Sequence, residues 1–439
     1  MTIRPHLVPP APDDLPPAGS TPTYEGLVSQ LGFRADAGVD AASAGVGLVP
    51  MFQPVVSLPD ERVIGFEALA RWPMFDTVTA HNVFSFANAS QRADVLDQQC
   101  IDAAARTALD AAMPRGSVLL INTEPTAEHV PRARHPALAA ACDRFQVVFE
   151  LTERQLLAHP RALLKKVEAI RADGIAIAVD DVGLHPDSLA VLDVIDPDII
   201  KLDMTMIQSS PERDRAIALT GVLAHHERTG ALIIAEGVET DHHLEQALAV
   251  GAHFAQGYRF GRAAPLNRHH CIEGLPPIVH PARRGAGSPK TAAAESRKAL
   301  RVARKQIVTA FSRHIEEQAR HSVDHPMVLA ALQGPEHFSE FSRLVYKDLA
   351  AMSPLVVVFG RDMPADLGGG VRGVALRSDD PLCDEWAIVT LGADTCRALV
   401  ARHVRNAENS LDDDRFEFLI TSDRAMVTKA ARDLLARVP

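Results

Sequence analysis

From about residue 48 to residue 275 the chain repeats one pattern: apolar runs with β-branched residues alternate with segments of helical periodicity. The runs are PMFQPVV, VIGFEAL, VLLIN, QVVFE, IAIAVD, DIIKL and ALIIAE. Between them, LLKKVEAIRADG places Leu163, Leu164, Val167 and Ile170 on one helical face, and Gly174 suits the position just past the helix end. Residues 211–230 form a second such segment, with Pro211 near its start and Gly230 at its end. Strand–helix alternation sustained over roughly 230 residues argues for a parallel α/β sheet or barrel. About seven or eight strands fit a TIM-like (β/α)8 barrel better than an open sheet.

Most of these runs end on a polar signature: Glu67, Asn122, Glu150, Asp180–Asp181, Lys201 with Asp203, Glu236, and Gln256 after HFA. In a barrel the carboxyl ends of the strands converge on one face, whereas an open sheet spreads them along a line. Gathered carboxylates repel one another unless positive charge lies between them, and divalent metal is the simplest source. Glu67, Asn122, Glu150 and Asp180 supply the oxygen ligands that Mg²⁺ or Mn²⁺ prefers. Asp181 and Asp203 are candidates for a second ion, and a two-metal clamp suits in-line phosphoryl displacement. Lys201 is the one basic member, placed to orient water or offset transition-state charge, and Glu236 serves as ligand or general base. The bland reading of any single residue is different. Asp180, Asp181 or Asp203 could cap a helix, and Arg71 could hold Glu67 in a structural ion pair.

Composition narrows the function classes. Across 439 residues with 47% hydrophobic content the net charge is −11, which disfavours binding to polymeric nucleic acid. The five cysteines are scattered without a CxxC pair, which suits a reducing cytoplasm rather than a disulfide framework or zinc site. The Pro-rich start lacks the apolar core of a signal peptide, and no apolar run approaches the ~18–20 residues that span a bilayer. We therefore expect a cytoplasmic protein with no membrane partner. Residues 1–45 read as a flexible leader with a short helical segment near its end, 46–275 as the barrel, 276–298 as a Pro/Gly/Ser linker, and 299–439 as a smaller α/β or α+β domain. In that domain 355–360, 373–377, 385–392 and 416–422 read as strands. Residues 393–409 and 423–437 read as helices, as does a stretch carrying Leu300, Ile307, Val308, Phe311 and Ile315 on one side. The pairs His225–His226, His242–His243 and His269–His270 read as surface histidines, and Trp386 as a core or half-buried strand residue.

The segment 46–270 resembles the EAL domain, the cyclic di-GMP phosphodiesterase family. The resemblance rests on FQPVVSL (52–58), FEALAR (66–71), IN (121–122), ELTE (150–153), DDVG (180–183), KLD (201–203), AEGVET (235–240) and QGY (256–258). It implies a TIM-like barrel that hydrolyses cyclic di-GMP to linear pGpG with Mg²⁺ or Mn²⁺. Glu67, Asn122, Glu150, Asp180 and Asp181 would bind metal, with Asp203 at the second ion; Lys201 and Glu236 would handle the water. Gln256, Arg71 and Leu69 would support substrate, and Glu153 would hold the loop after Asp181. The family usually reads DDFGTGYSSL where this chain reads DDVGLHPDSL (180–189). A Gly is lost and a Pro gained, which stiffens a loop that in the family couples the active site to a homodimer interface. That departure motivates the alternative of a weak or inactive cyclic di-GMP receptor. The second half is similar to the DICT domain, a sensory module, on LVVVFG, DPLCDEW and RFEFLITSDRAMVTKAARDLL. It implies an unknown ligand or protein partner there.

Overall fold

The computed structural model describes residues 37–75, 77–152, 156–183, 187–209, 213–266, 300–404 and 415–439. Apart from the stretch from Ala37 onward, which opens with a helix over Ala37–Ser43, the expected leader and linker lie outside these residues, as do Glu153, Leu184, His185, Pro186 and His269–His270.

Eight strands close into a barrel in sequence order. They are β1 (Val49–Ser57), β2 (Val63–Arg71), β3 (Val118–Asn122), β4 (Gln146–Thr152), β5 (Ala176–Val182), β6 (Ile199–Leu202), β7 (Leu232–Ala235) and β8 (Phe254–Ala255). Pairing is parallel from β2 to β8. The first strand departs from a regular (β/α)8 barrel, since β1 runs antiparallel to both β2 and β8. Its link to β2 is a short turn, and a parallel pair needs a crossover of a dozen or more residues. Val55, Ile64, Leu120, Val148, Ala178, Ile199 and Ile234 fill the barrel interior, so it is a packed core and not a pore. The helix Pro160–Ala172 buries Leu163, Leu164, Val167 and Ile170, and Gly174 takes the left-handed φ of +72° past its end.

The C-terminal domain is a seven-stranded mixed sheet in the order β12-β11-β10-β13-β14-β15-β9. Its strands are β9 (Arg301–Arg304), β10 (Met327–Leu332), β11 (Val356–Gly360), β12 (Arg372–Ala375), β13 (Glu385–Leu391), β14 (Cys396–His403) and β15 (Arg415–Thr421). Two expectations are corrected. Leu300 precedes a strand, and the helix begins only at Lys305. The helix expected over 393–409 is instead β14, paired antiparallel to β13 and β15. ALVARHV carries helical and extended signals at once, and ladder partners on both sides decide for the strand. The central strand β10 and the helix Glu340–Ala350 escaped the sequence reading.

The two domains share one apolar layer. Val427, Ala431, Leu434 and Leu435 of the helix Arg424–Leu435 belong to the same core as Leu163, Leu164, Val167 and Val191 of the barrel's outer helices. Polar contacts reinforce it. Arg424 pairs with Asp193 and donates to the carbonyls of Gly392 and Ala393. Arg432 Nε donates to Val194 O at 2.8 Å, and Arg372 donates to Leu157 O and Ala158 O at 3.1 and 2.9 Å. Asp193 and Val194 lie on the helix Asp187–Ile195, which follows β5 after a four-residue connection.

Candidate active site

At one mouth of the barrel Lys201 is buried at the centre of four carboxylates. Its Nζ lies 2.8 Å from Glu236, 2.9 Å from Asp180, 3.0 Å from Glu150 and 3.5 Å from Glu67. One ammonium against four carboxylates leaves an excess of negative charge in a place where solvent screens little. Burial alone would push Lys201 down, but the four carboxylates outweigh it and hold the amine well above its usual value.

The carboxylates do not share one fate. Burial would raise Glu67, yet Lys201 and hydrogen bonds from Gln256 and Asn122 more than compensate and hold it below its ordinary value. Asn122 Nδ2 donates to Oε1 at 2.9 Å and Gln256 Nε2 donates to Oε2 at 2.6 Å. Glu150 is pushed well up, first by burial and then by Glu67. Asp180 is raised by burial against the pull of Lys201, and Glu236 is raised well up by burial and then by Asp180.

The strand end at Asp180 has its own local chemistry. The β5–β6 register slips between Val179 and Val182, and Asp181 takes a left-handed φ of +59°. In a regular strand neighbours point to opposite faces; the irregular end lets two consecutive aspartates serve one site. Gly183 follows at φ +101°, and a Cβ there would collide with the Met206 side chain.

Two carboxylate groups with oxygens within 4.8 Å of one another result: Glu67, Glu150 and Asp180, and Asp180, Asp181 and Glu236. Beyond the ion pairs with Lys201, no hydrogen-bond donor among the described residues satisfies either oxygen of Glu150 or Oδ1 of Asp180. Orphaned buried oxygens in two groups that share Asp180 fit adjacent hard cations. Asn122, whose amide nitrogen is used on Glu67, keeps its oxygen for such an ion.

Asp203 is placed differently. Its Oδ1 accepts from Thr205 N at 2.8 Å and from the Thr205 hydroxyl, capping the helix Met204–Gln208, and it belongs to neither carboxylate group. Arg71 makes no ion pair with Glu67; it is exposed, and Nη1 donates to Ala70 O at 2.9 Å. Leu69 and Arg71 line a cavity of about 530 Å³ that runs up to Glu67, Asn122, Asp180 and Asp181. His81, Phe84, Asn88 and Glu124 also line it and escaped the sequence reading. None of them ends an apolar run except Glu124, two residues past β3. The backbone there is held by buried Asp97, which accepts from Glu124 N at 2.8 Å, and by Lys166, which donates to Glu124 O at 2.5 Å. The histidines also differ from expectation: His225 is buried and its Nδ1 lies 3.0 Å from Asp193.

Comparisons with known proteins bear on both domains. Residues 290–404 match the model described as a sensory domain in diguanylate cyclases and two-component systems, DICT. The probable cyclic di-GMP phosphodiesterase PdeN of Escherichia coli K12 is 30% identical over 225 residues, covering 49% of this chain and 43% of that protein. The cyclic di-GMP phosphodiesterase RocR of Pseudomonas aeruginosa PAO1 is 29% identical over 231 residues, covering 51% and 58%. The match thus spans less than two thirds of either relative. Among solved structures, the manganese and cyclic di-GMP complex of Klebsiella pneumoniae BlrP1 aligns at 27% identity with a TM-score of 0.44, over 50% of this chain and 57% of that one. Residues 39–263, just over half of the 439, match the EAL domain model, and the chain belongs to the EAL domain family.

Proposed function

We propose that the barrel hydrolyses cyclic di-GMP to linear pGpG with a pair of Mg²⁺ or Mn²⁺ ions. The observation that carries this reading is the pair of carboxylate groups that share Asp180 around Lys201. A protein that only held a dinucleotide would keep this excess of buried negative charge without use. The curated relatives named as cyclic di-GMP phosphodiesterases support the same substrate.

Glu67, Asn122, Glu150 and Asp180 would hold one ion; Asp180, Asp181 and Glu236 would hold the other. Bound there, the metals supply charge neutralisation and a lowered water pKa. The protein's own contribution is positional. Asn122 and Gln256 fix both oxygens of Glu67. Lys201 lies 2.8 Å from Glu236, so the two can orient a water and pass its proton to the carboxylate. Arg71, at the exposed rim, offers a guanidinium to a substrate phosphate, and Leu69 packs beside it in the same cavity.

The C-terminal domain would tune this site. Its helix Arg424–Leu435 grips Asp193 and Val194 on the helix that follows the Asp180–Asp181 strand end. A displacement of that helix would reach the ligands through a short connection.

Incubating the full chain with cyclic di-GMP and Mn²⁺ and separating the products tests the reading. pGpG is the expected product. Tight binding with no turnover would replace the enzyme by a receptor, the alternative that the loop at 182–186 raises.

A further inference from the structure

The chain leaves the barrel wall just after Asn122. Asn122 still pairs with Glu150 in the β3–β4 ladder, and Thr123 N donates to Glu150 O at 3.0 Å. Beyond Thr123 the sheet supplies no further bond among the described residues, yet Thr123 and Glu124 line the same cavity as Asn122. Backbone groups that have left a ladder need partners from elsewhere.

Two helices supply them through one buried ion pair. Asp97, on the helix Ala93–Asp110, accepts from Thr123 Oγ1 and from Glu124 N, each at 2.8 Å. Lys166, on the helix Pro160–Ala172, lies 3.2 Å from Asp97 Oδ2 and donates to Glu124 O at 2.5 Å. The same carbonyl closes a turn with Ala127 N at 3.1 Å. The ion pair therefore holds the N–H and the C=O of Glu124 together. One turn before Asp97, exposed Asp94 accepts from Glu128 N at 2.9 Å and anchors the far end of the segment. Lys166 is buried among Leu163, Val167 and Ile170 of its own helix, whereas the neighbouring Lys165 is exposed. That helix is also held from the C-terminal domain's side, where Arg161 donates to Ala436 O and Arg437 O at 2.8 and 2.6 Å.

Stability alone does not call for this arrangement. Removing two charges from water is expensive, and apolar side chains of similar volume often serve a fold as well. What the pair adds is direction, because charge-assisted hydrogen bonds are shorter and stronger than neutral ones. A small displacement of a group that lines a substrate site is costly. We propose that Asp97 and Lys166 are positioning residues for the substrate, fixing Glu124 as one wall of the cavity. The inference rests on that cavity being the cyclic di-GMP site. Asn122 is held independently, by the ladder and by its bond to Glu67. Loss of the ion pair therefore acts on substrate affinity and not on the chemical step.

The test is steady-state pGpG formation by the full chain, with the Kd from calorimetry taking the place of KM if cyclic di-GMP binds without turnover. Asp97→Asn/Lys166→Met leaves no unpaired buried charge and keeps an acceptor for Glu124 N. It should raise KM about tenfold, with kcat and the Mn²⁺ concentration for half-maximal rate unchanged. Lys165→Met should match wild type. Asp94→Ala, at an exposed position, loosens the other anchor and should raise KM about threefold; it decides the matter if the double variant does not fold. An unchanged KM in the folded double variant, or in Asp94→Ala where the double variant fails to fold, would overturn the assignment, as would a loss of kcat at constant KM. A wild-type chain that binds cyclic di-GMP without turnover would overturn the hydrolysis reading alone, and the Kd shift then decides this inference. A wild-type chain that neither binds nor hydrolyses it would overturn both.

Discussion

Lys201 and Asp193 are both charged side chains withdrawn from solvent, and their surroundings are opposite. Lys201 is one cation among four carboxylates. Asp193 is one anion met by Arg228, Arg424 and His225. At the seam the surplus positive charge is discharged inside the protein, because Arg424 also donates to Gly392 O and Ala393 O. At the mouth the surplus negative charge finds no such outlet among the described residues, and Glu150 keeps both oxygens without a donor there beyond Lys201. In the first arrangement both carboxylate oxygens have donors as folded, while His225 Nε2 has no hydrogen-bond partner among the described residues. The second leaves carboxylate oxygens without donors among the described residues, the feature on which the proposed metal site rests.

The sharpest way to break this contrast is to neutralise a carboxylate at the mouth. Glu67→Gln or Glu236→Gln should lower kcat by about 10²–10⁴-fold, measured as pGpG formation. Glu236→Gln should leave the metal-free chain as stable as before or more so, because repulsion falls at a carboxyl that burial and Asp180 already push up. A clear drop in melting temperature would show that the mouth is structural after all.

Metal addition probes the same difference from outside. Mn²⁺ should raise the melting temperature of the wild-type chain and fail to do so for Asp180→Asn, which belongs to both carboxylate groups. Chelation should reduce turnover to background. Activity that survived exhaustive chelation would remove the metal from the account.

At the seam, Arg424→Ala should cost about 2–4 kcal/mol, since it leaves a buried carboxylate with weaker partners. Denaturant unfolding would read this loss, with kcat altered through the docked helix and not through the chemistry. An Arg424→Ala chain as stable as wild type would mean that the apolar layer alone holds the domains.

The smallest effect is in pH. Burial would raise Asp193, but His225 and Arg424 outweigh it and hold the carboxyl far below its ordinary value. A depressed folded pKa adds stability that is fully present above the unfolded value of about 3.9 and is lost as pH falls toward the folded one. Asp193→Asn should remove that part of the acid-side slope below about pH 4 and leave stability near neutrality less dependent on Arg424.

Much of the barrel was legible because its signal is local. Each apolar run is a strand, and the polar residues that interrupt or follow it stand out, so Glu67, Asn122, Glu150, Asp180, Lys201 and Glu236 could be picked out one by one, although β2 runs four residues past Glu67. The reversed β1 was legible in principle from the short turn to β2. In the C-terminal sheet β14 was missed because its residues suit a helix as well, and only the ladders to β13 and β15 exclude it. Asp203 shows the same dependence at the site: its Oδ1 caps the helix at Thr205, a contact that KLD alone does not reveal. Glu124 and Asn88 reach the cavity from segments that carry no periodic signal.

By itself the sequence determined the alternation of strands and helices, the residue types at the strand ends and the need for positive charge among them, because periodicity and residue chemistry act over a few neighbours. Tertiary structure decided which carboxylates surround Lys201, which aspartate became a cap, and that the helix Arg424–Leu435 would seat against Asp193. Those outcomes depend on barrel closure, register and burial, which bring together residues far apart in the chain and set which charges lose their water.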